Sequence, residues 1–379
     1  MEQDEDRDGV NASPPDVLRK VYVEPTTACN LDCRTCVRHA WDEPEGFMAW
    51  ETFEAVAYGL AGTDGGTVAF MGLGEPLLHP RFADMVRLTK ERGLRAEVTT
   101  NALLLDPELA ASLLEAGLDQ LVVSIDGASA EAFGKIRSGA SLDKVVTNVR
   151  RLQDGSGPNY GPGMRIGIEF VAMRSTIGEL PGLSRLAARL GASFIIVTNV
   201  LPYTAELVDE TLYDFRVTAS GGALTAAAPH WRLPKFDWDE RVGAALGAAL
   251  HRAGPVSFLD GDTDADRRCP FVHAGACAVG WHGGVSPCPP LLHTYPCFVR
   301  GRGKLMTRWE VGRLPRESLA DVWGGSDYAA FRDRVRRFDF PPCTDCNCTL
   351  AEENLEDCLG NPHPVCGDCL WARGIVRCA

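Results

Sequence analysis

The chain has 379 residues, 45% hydrophobic and 23% charged, which is long enough for one large domain and a smaller appendage. It carries 38 Lys and Arg against 51 Asp and Glu, and the net charge of -13 disfavours general binding to nucleic acid or to anionic membranes. No apolar run approaches the roughly 18 residues of a spanning helix, and the N-terminus lacks the apolar stretch of a signal peptide. We therefore expect a cytoplasmic protein without a nucleic-acid or membrane partner.

The N-terminal half consists of a short tail and a long segment of alternating strand and helix patterns. Residues 1–16 are acidic and polar, and we expect a disordered tail. From 17 to 200, short β-branched segments alternate with stretches in which apolar residues recur at helical spacing. Such repeated βα units predict a parallel sheet, open or closed into a partial barrel, with functional groups at the carboxyl ends of the strands. The predicted strands are 18–24, 66–71, 94–100, 119–125, 164–172 and 193–198.

The remainder of the chain changes character twice. Residues 201–264 are less regular and read as a bridging segment, with one helix predicted near 239–254. Residues 265–379 are rich in Cys, Pro and Gly and show little periodic apolar pattern. We expect that this last segment cannot fold by apolar burial alone and needs metal or cross-links.

Fourteen cysteines are distributed unevenly along the chain. Three lie at Cys29, Cys33 and Cys36, none occurs between 37 and 268, and eleven follow from Cys269 onward. Stable disulfides are rare in the cytoplasm, where clustered cysteines more often bind metal. Both groups are therefore interpreted as metal ligands.

The first group follows directly on the first predicted strand, with the spacing C-x3-C-x2-C. Thiolates are soft ligands suited to iron–sulfur clusters, which normally take four of them. Three thiolates therefore leave one iron of a [4Fe–4S] cluster open to another ligand. Zinc is the alternative, but a zinc site usually needs two separated pairs of ligands, and the nearest fourth side chain is His39.

This motif resembles the signature of the radical S-adenosylmethionine (SAM) superfamily. The resemblance implies an α/β fold, a partial (β/α)6 TIM-like barrel, in which Cys29, Cys33 and Cys36 hold the catalytic cluster. In that family the open iron chelates SAM, and one-electron reduction cleaves SAM to a 5′-deoxyadenosyl radical that abstracts a hydrogen atom from a substrate. Thr35 departs from the family pattern, which usually has an aromatic residue before the third cysteine.

The turn FMGLGEPLLH at the end of the second predicted strand resembles the glycine-rich GGEP motif of the family. The resemblance implies that this turn, through its backbone and Glu75, holds the SAM amino group, while Gly72 and Gly74 allow the backbone to approach closely. A plain strand-end turn is the alternative interpretation.

Polar residues also end the third and fourth predicted strands. VTTNA places Thr100 and Asn101 near the expected site, with Ala102 where the family usually has glycine; helix capping is the alternative. VVSIDG places Ser124 and Asp126 at the next strand end. In related enzymes the equivalent serine contacts SAM, whereas a strand-end Asp also commonly begins a turn.

Three further polar residues are candidates for the site. Arg137, in IRSGASLDKVVTNV, is expected from the resemblance to pair with the SAM carboxylate, because a guanidinium group suits that geometry. A solvated surface arginine is the alternative. Arg174 and Asn199 follow the fifth and sixth predicted strands and are weaker matches.

The C-terminal cysteines begin with an informative spacing. Cys269 is followed by thirteen residues, Gly283, four residues and Cys288, which resembles the opening of a SPASM domain. The resemblance implies a small Cys-rich iron–sulfur domain after the barrel, with two auxiliary [4Fe–4S] clusters. The usual later spacing is not reproduced, so the pairing of thiols into clusters stays open. The expected ligands are Cys269, Cys288, Cys343, Cys346, Cys348, Cys358, Cys366, Cys369 and Cys378.

Cys277 and Cys297 are expected to be free thiols. A zinc-ribbon pair is the alternative to auxiliary clusters, because two of the later C-x2-C pairs have a separation compatible with zinc. The thiols of that pair are Cys343, Cys346, Cys366 and Cys369.

Longer stretches resemble one branch of the superfamily. ACNLDCRTCVRHAWDEPEGFM, VSPCPPLLHTYPC and NPHPVCGDCLWARGIVRC are similar to SPASM proteins described as maturases of tungsten-cofactor oxidoreductases. The resemblance implies maturation of a protein, a peptide or a cofactor, with a reductant such as flavodoxin or ferredoxin.

Two other functions remain open from the sequence. A small-molecule dehydrogenase or epimerase needs a hydrogen donor in its cavity, for which Cys277 or Cys297 is a candidate. A non-enzymatic iron–sulfur carrier or zinc scaffold has no use for the GLGEP and SIDG motifs at strand ends.

Overall fold

The computed structural model describes residues 16–155, 164–213, 223–225, 229–253, 257–259, 268–341, 343, 352–362 and 364–378. The expected N-terminal tail lies outside these residues except for Asp16. The Asp16 carboxylate forms ion pairs with Arg332 (2.9 Å) and Arg336 (2.8 Å). Asp16 is therefore anchored to the C-terminal part of the chain and does not belong to a loose tail.

Strands and helices alternate over most of the described residues. The strands are β1 (Lys20–Val23), β2 (Asp32–Cys33), β3 (Thr67–Phe70), β4 (Arg95–Thr100), β5 (Gln120–Ser124), β6 (Arg137–Ser138), β7 (Arg165–Ala172), β8 (Phe194–Asn199), β9 (Ala223–Thr225), β10 (His230–Arg232), β11 (Ser257–Leu259), β12 (Ala276–Val279), β13 (Gly284–Ser286), β14 (Tyr295–Val299), β15 (Arg302–Met306) and β16 (Gly312–Arg313). The α-helices are α1 (Trp50–Leu60), α2 (Phe82–Glu91), α3 (Pro107–Ala116), α4 (Ala130–Ile136), α5 (Leu142–Gly155), α6 (Leu180–Leu190), α7 (Glu240–Ala253), α8 (Leu319–Gly324) and α9 (Ser326–Arg337).

Six parallel strands form the centre of the structure, in the order β1-β3-β4-β5-β7-β8. They coincide with the six predicted strands to within a few residues, because most are runs of buried β-branched or aliphatic residues. Within the described part of the chain, the outer members β1 and β8 pair with further strands and not with each other. The predicted partial barrel is confirmed.

The helices between these strands show the predicted start and stop signals. α3 begins after Asp106, whose Oδ1 accepts a hydrogen bond from the Leu109 N–H (2.8 Å), and it ends at Gly117 in the left-handed conformation (φ 85°). α6 buries one apolar face that includes Leu183 and Leu190. This packing fixes the positions at which the strands end.

The bridging segment joins the sheet at its β8 edge. β10 runs parallel to β8, and β9 and β11 follow in antiparallel pairing. The helix predicted at 239–254 is present as α7. Across the described ranges, no helix has both the length and the apolar character to cross a membrane.

The Cys-rich segment joins the opposite edge of the same sheet. β12 runs parallel to β1, with Lys20 opposite Ala276, and β13 and β16 continue the sheet beyond it. β1 therefore has a neighbour on each side, and the sheet continues from the barrel into the C-terminal segment.

The expectation that residues 265–379 cannot fold by apolar burial alone stays a prediction, but their central part forms two helices that pack on the main core shared with the barrel. α8 is capped by Ser318, whose Oγ accepts a hydrogen bond from the Asp321 N–H (3.1 Å). α9 buries Tyr328, Phe331 and Val335 in the main core. Six of the twelve residues of α9 are charged, which obscures its apolar period in the sequence.

Candidate active site

A cavity of about 310 Å3 opens where the six parallel strands end. Many of the residues expected from the sequence line it, together with others that were not singled out. The expected residues are Cys29, Cys33, Thr35, Cys36, Gly72, Gly74, Glu75, Thr100, Asn101, Ser124, Arg137 and Asn199. The additional polar and aromatic residues are Thr99, Glu169, Thr198, Tyr203, Trp371 and Arg377. Cys378, expected as an auxiliary-cluster ligand, also lines this cavity.

The loop with the three cysteines is fixed by backbone hydrogen bonds. Within the loop, the Cys36 N–H donates to the Cys33 carbonyl (2.9 Å) and closes a tight turn. The short strand β2 pairs antiparallel with β6, which places Cys33 opposite Arg137. His39 Nε2 lies 3.0 Å from the Cys33 carbonyl oxygen, so this ring supports the loop backbone.

The chemistry of the three thiols fits a cluster site. Burial raises the pKa of Cys29 and Cys36, and it raises the pKa of Cys33 to about 12. An iron–sulfur cluster binds the thiolate form and so compensates this cost. Among the described residues, no three His, Cys, Asp or Glu side chains converge at metal-ligand distances.

The glycines of the GLGEP turn allow it to lie directly against the cysteine loop. A Cβ atom at Gly74 would stand 2.3 Å from the Thr26 carbonyl oxygen and 2.6 Å from that of Ala28. Gly72 has φ 155°, and a Cβ atom there would stand 2.5 Å from Glu24 Cγ. A larger residue at Gly74 would displace the backbone of the cysteine loop, and one at Gly72 would displace the Glu24 side chain and strain a positive φ.

The Glu75 carboxylate is buried and hydrogen-bonded by the protein itself. Its Oε1 accepts from Thr100 Oγ1 (2.6 Å) and from the Leu77 N–H (3.1 Å). Its Oε2 accepts from the Asn101 N–H (2.8 Å). Burial raises the pKa of Glu75. Each carboxylate oxygen has about two acceptor sites, so Oε2 keeps one for a ligand in the cavity.

Asn101 connects the end of β4 to the cysteine loop. Its Nδ2 donates to Asn30 Oδ1 (2.8 Å), and its Oδ1 accepts from the Leu103 N–H (3.0 Å). Ala102, where the family usually has glycine, has φ 58°. This position is in the left-handed region, which explains why glycine suits it.

Asp126 and Arg137 form a buried ion pair, with Arg137 Nε 2.9 Å from Asp126 Oδ2. Arg137 lines the cavity, whereas Asp126 is only 1% exposed and lies behind it. Of these two expected SAM contacts, only Arg137 faces the cavity. Asp126 instead supports Arg137 and accepts a hydrogen bond from the Val171 N–H (3.3 Å).

Glu169 projects into the cavity from β7 and was not singled out from the sequence. Its carboxylate makes no side-chain hydrogen bond or ion pair to any residue in the described ranges. Burial raises its pKa to about 7, Asp126 adds to that effect and Arg137 opposes it. The sequence could have indicated Glu169, because it is a charged residue within the otherwise apolar predicted strand MRIGIEFVA.

The structure separates the remaining candidates. Ser124 ends β5 and lines the cavity. Asn199 also lines it, but its Nδ2 donates to the carbonyls of Lys235 (2.8 Å) and Ile375 (2.9 Å), so its amide holds the C-terminal tail. Arg174 lies outside the cavity, and its Nε donates to the Thr211 carbonyl (3.1 Å).

Several of the C-terminal thiols lie close together. Cys288, Cys366 and Cys369 line one small cavity, and Cys269 and Cys288 pack against the same apolar cluster. Cys343 Sγ lies close to Gly367, between Cys366 and Cys369 in the chain, because a Cβ atom at Gly367 would stand 3.1 Å from it. The expected ligands Cys346 and Cys348 lie outside the described residues.

Three further cysteines of this segment, Cys277, Cys297 and Cys378, each lie in different surroundings. Cys378 lines the catalytic cavity, and its Sγ accepts a hydrogen bond from Trp371 Nε1 (3.1 Å). Cys277 is buried in β12, within the main core. Cys297 is buried in β14 near Lys304. Neither Cys277 nor Cys297 lines the cavity in which a hydrogen donor would act.

A partial parallel barrel with three thiols after its first strand, joined to a Cys-rich segment, defines an α/β barrel metalloenzyme. Residues 23–168 match the radical SAM superfamily, and residues 269–347 match SPASM, an iron–sulfur cluster-binding domain. The chain is 30% identical, over 95% of its length and 97% of the relative, to the tungsten-containing aldehyde ferredoxin oxidoreductase cofactor-modifying protein of Pyrococcus furiosus. The chain belongs to the radical SAM superfamily.

Other relatives agree with this assignment. The AdoMet-dependent heme synthase of Oleidesulfovibrio alaskensis is 24% identical over 94% of the chain and 84% of that protein. SuiB of Streptococcus suis, solved with its precursor peptide SuiA, has a TM-score of 0.58 at 14% identity, covering 84% of this chain and 67% of SuiB. The enzyme anSMEcpe with bound AdoMet has a TM-score of 0.56 at 15% identity and 86% coverage of both chains. The two solved structures share the fold.

The protein is therefore a radical SAM enzyme. Its barrel domain takes a [4Fe–4S] cluster and SAM, and its SPASM domain takes auxiliary iron–sulfur clusters. It acts on a substrate and uses a reductant.

Proposed function

We propose that this enzyme abstracts a hydrogen atom from a protein, peptide or protein-bound cofactor and so matures it, in the cytoplasm and with flavodoxin or ferredoxin as the reductant. The proposal is supported by one cavity that contains the three thiols, the GLGEP turn and two side chains without described partners, Glu169 and Arg377. The similarity over nearly the full length to a cofactor-modifying protein adds support. When bound, the cluster and SAM supply a 5′-deoxyadenosyl radical.

The chain's own residues bind, orient and shield the reactants. Cys29, Cys33 and Cys36 are proposed to hold the cluster. The turn with Gly72, Gly74 and Glu75 offers backbone groups and one free acceptor site to the SAM amino group. Ser124, Asn101 and Arg137 are proposed to contact the rest of SAM. Tyr203 and Trp371 also line the cavity, and we propose that these aromatic side chains limit water around a reactive radical.

Two auxiliary clusters are proposed for the C-terminal thiols. The first uses Cys269, Cys288, Cys366 and Cys369, and the shared cavity and apolar cluster of these residues support this set. The second uses Cys343 and Cys358 with Cys346 and Cys348. Cys378 stays a candidate ligand, although its position in the catalytic cavity also suits another role.

The decisive experiment measures SAM cleavage by the anaerobically reconstituted full-length protein with a strong reductant. We expect 5′-deoxyadenosine from wild type and none from Cys33→Ser, which also loses about four irons per chain. Cys277→Ser is the matched control, because this thiol is buried in β12 outside the cavity. Stoichiometric zinc without acid-labile sulfide contradicts the proposal.

A second candidate function is a radical SAM dehydrogenase or epimerase acting on a small molecule. One observation favours the epimerase: the Cys378 thiol lines the cavity, and burial raises its pKa to about 12, which keeps it protonated. Transfer of its S–H hydrogen atom quenches the substrate radical and leaves a thiyl radical at Cys378. An electron from the reductant and a proton from solvent then restore the thiol. Deuterium from heavy water in the product, lost in Cys378→Ala with iron content unchanged, supports this candidate. An unlabelled product excludes it.

A further inference from the structure

We propose that Arg377 forms an anion-binding site in the catalytic cavity, which pairs with a phosphate or carboxylate group of the substrate. The inference rests on the proposed function, because it takes this cavity as the place where the substrate meets SAM. It adds the chemical class of group that the substrate must carry.

The C-terminal tail holds Arg377 against the end of β8. The Arg377 N–H donates to Thr198 Oγ1 (2.8 Å), and two residues earlier the Ile375 carbonyl accepts from Asn199 Nδ2 (2.9 Å). Consecutive residues at the end of β8 thus bind the tail. The Arg377 side chain is thereby fixed among the residues that line the cavity.

The guanidinium group of Arg377 lacks a described counter-ion. In the described ranges, no carboxylate forms an ion pair with it, and its buried Nε has no hydrogen-bond partner. Its electrostatic neighbour is another cation, Arg232 of β10; burial and this neighbour lower the pKa of Arg377. Arg137, the other arginine of the cavity, differs because it pairs with Asp126.

An anionic ligand would supply the counter-ion and the hydrogen-bond acceptor that the Arg377 guanidinium group lacks. A buried donor without an acceptor costs about 1–3 kcal/mol, and a buried charge without a partner costs more. The planar fork of a guanidinium group binds carboxylates and phosphates through two parallel hydrogen bonds. The cavity thus has an unpaired positive group at its β8 side.

SAM carries a carboxylate of its own, which Arg377 could bind instead of a substrate group. The position of Arg377 relative to the expected SAM turn distinguishes these two ligands. In the sheet, β5 and β7 separate β8 from β4, whose Thr100 contacts Glu75 of the expected SAM turn. Ser124 ends β5, between these two sides, and Arg137 pairs with Asp126, which follows β5. We therefore assign Arg137 to SAM and Arg377 to the substrate.

The test measures anion binding to the anaerobic holoenzyme with saturating SAM and no reductant. Inorganic phosphate and malonate are titrated separately by calorimetry, which distinguishes phosphate from carboxylate recognition. We expect wild type to bind at least one of them. Arg377→Ala should weaken that binding roughly 10- to 150-fold, as for loss of a charge-assisted hydrogen bond, and Arg377→Lys should weaken it less. Arg189→Ala, an exposed arginine of α6, should leave it unchanged.

Iron content and SAM affinity show whether the variants retain the fold. The inference is overturned if wild type binds neither anion, if Arg377→Ala binds as well as wild type, or if Arg377→Ala loses SAM affinity in parallel. If Arg377→Ala fails to load iron, the same measurements of anion binding and SAM affinity are made on Arg377→Lys, and the same three results overturn the inference. Absence of 5′-deoxyadenosine from reduced wild type contradicts the proposed function instead, because the anion titration involves no turnover.

Discussion

Glu24 and His293 connect the SPASM domain to the GLGEP turn through one buried carboxylate. Glu24 Oε2 lies 2.8 Å from His293 Nε2, and Glu24 Oε1 accepts a hydrogen bond from the Leu73 N–H (3.0 Å). His293 Nδ1 lies 2.6 Å from Glu43 Oε2 on its other side. A histidine of the C-terminal segment therefore fixes the residue that positions the GLGEP turn.

Replacing His293 with Ala should destabilise the protein by about 3–5 kcal/mol, because it leaves the fully buried Glu24 carboxylate without its partner. SAM affinity should also fall, since the Glu24 carboxylate that accepts from the Leu73 N–H loses the partner that fixes its orientation. The matched control is His282→Ala, which breaks a more exposed pair with Glu310 at 2.8 Å and should cost about 1 kcal/mol or less. Equal losses of unfolding free energy in the two variants would contradict the role of His293.

The same histidine should make stability depend on pH. Burial opposes the charged ring, but the hydrogen bonds and charges of Glu24 and Glu43 raise the pKa of His293 above its ordinary value. A raised folded-state pKa contributes stability that is fully present below about pH 6.5 and is lost as the pH rises through the folded value. The difference in unfolding free energy between wild type and His293→Gln should shrink with rising pH. A pH-independent difference would show that His293 is neutral in the folded protein.

Glu75→Gln should weaken SAM binding roughly 10- to 150-fold, or about 1.5–3 kcal/mol, with iron content unchanged. Gln keeps one acceptor oxygen, which can serve Thr100 and Leu77, but its amide nitrogen then replaces the oxygen that accepts from the Asn101 N–H and that has a free acceptor site. Glu179→Gln is the matched control, because Glu179 also accepts two backbone hydrogen bonds but does not line the cavity. Unchanged SAM affinity in equilibrium binding would remove Glu75 from the site.

A double-mutant cycle measures the pair of Asp126 and Arg137. Arg137→Ala alone should cost about 3–5 kcal/mol of unfolding free energy, because Asp126 remains buried and unpaired. The double variant Asp126→Ala/Arg137→Ala should recover part of that loss. Arg137→Lys should keep the charge but lose the planar fork, and so lower SAM affinity moderately. If the losses of unfolding free energy in Asp126→Ala and Arg137→Ala add up to the loss in the double variant, the two side chains do not interact.

The auxiliary thiols should differ in their effect on iron content. Three four-iron clusters predict about twelve irons per chain, and Cys288→Ala should remove about four of them. Cys277→Ala, a buried thiol of the core, should keep all twelve. If the auxiliary clusters act on the substrate, Cys288→Ala should still form 5′-deoxyadenosine but no modified product. Normal product from this variant would indicate a structural role.

The six parallel strands and the first cysteine loop were predictable because they depend on local sequence. Strands such as Phe194–Asn199 are short buried runs, and the loop with Cys29 follows one of them at a recognisable spacing. The GLGEP turn is local as well. Side-chain types and spacing over a few residues carry most of this information.

Features that depend on distant partners were not predictable. The sequence marks Asp126 and Arg137 as separate SAM contacts, and only the fold shows that they pair with each other. Arg377 and Cys378 enter the cavity because the tail crosses the end of β8, which no local pattern encodes. Glu169 belongs to β7, and the sequence alone does not show which side chains of this strand point into the barrel.

The pairing of β1 with strands on both sides has a consequence during synthesis, because one of its partner strands is translated much later. Lys20 meets its partner Ala276 only after 256 further residues have been made, which takes roughly 10–50 s at typical rates of translation. Until then β1 has an unpaired edge and leads into the loop with Cys29, so the nascent barrel is exposed to wrong strand pairing and to thiol oxidation. Chaperone binding during this interval, or slow translation of the early strands, should therefore affect the yield of active enzyme.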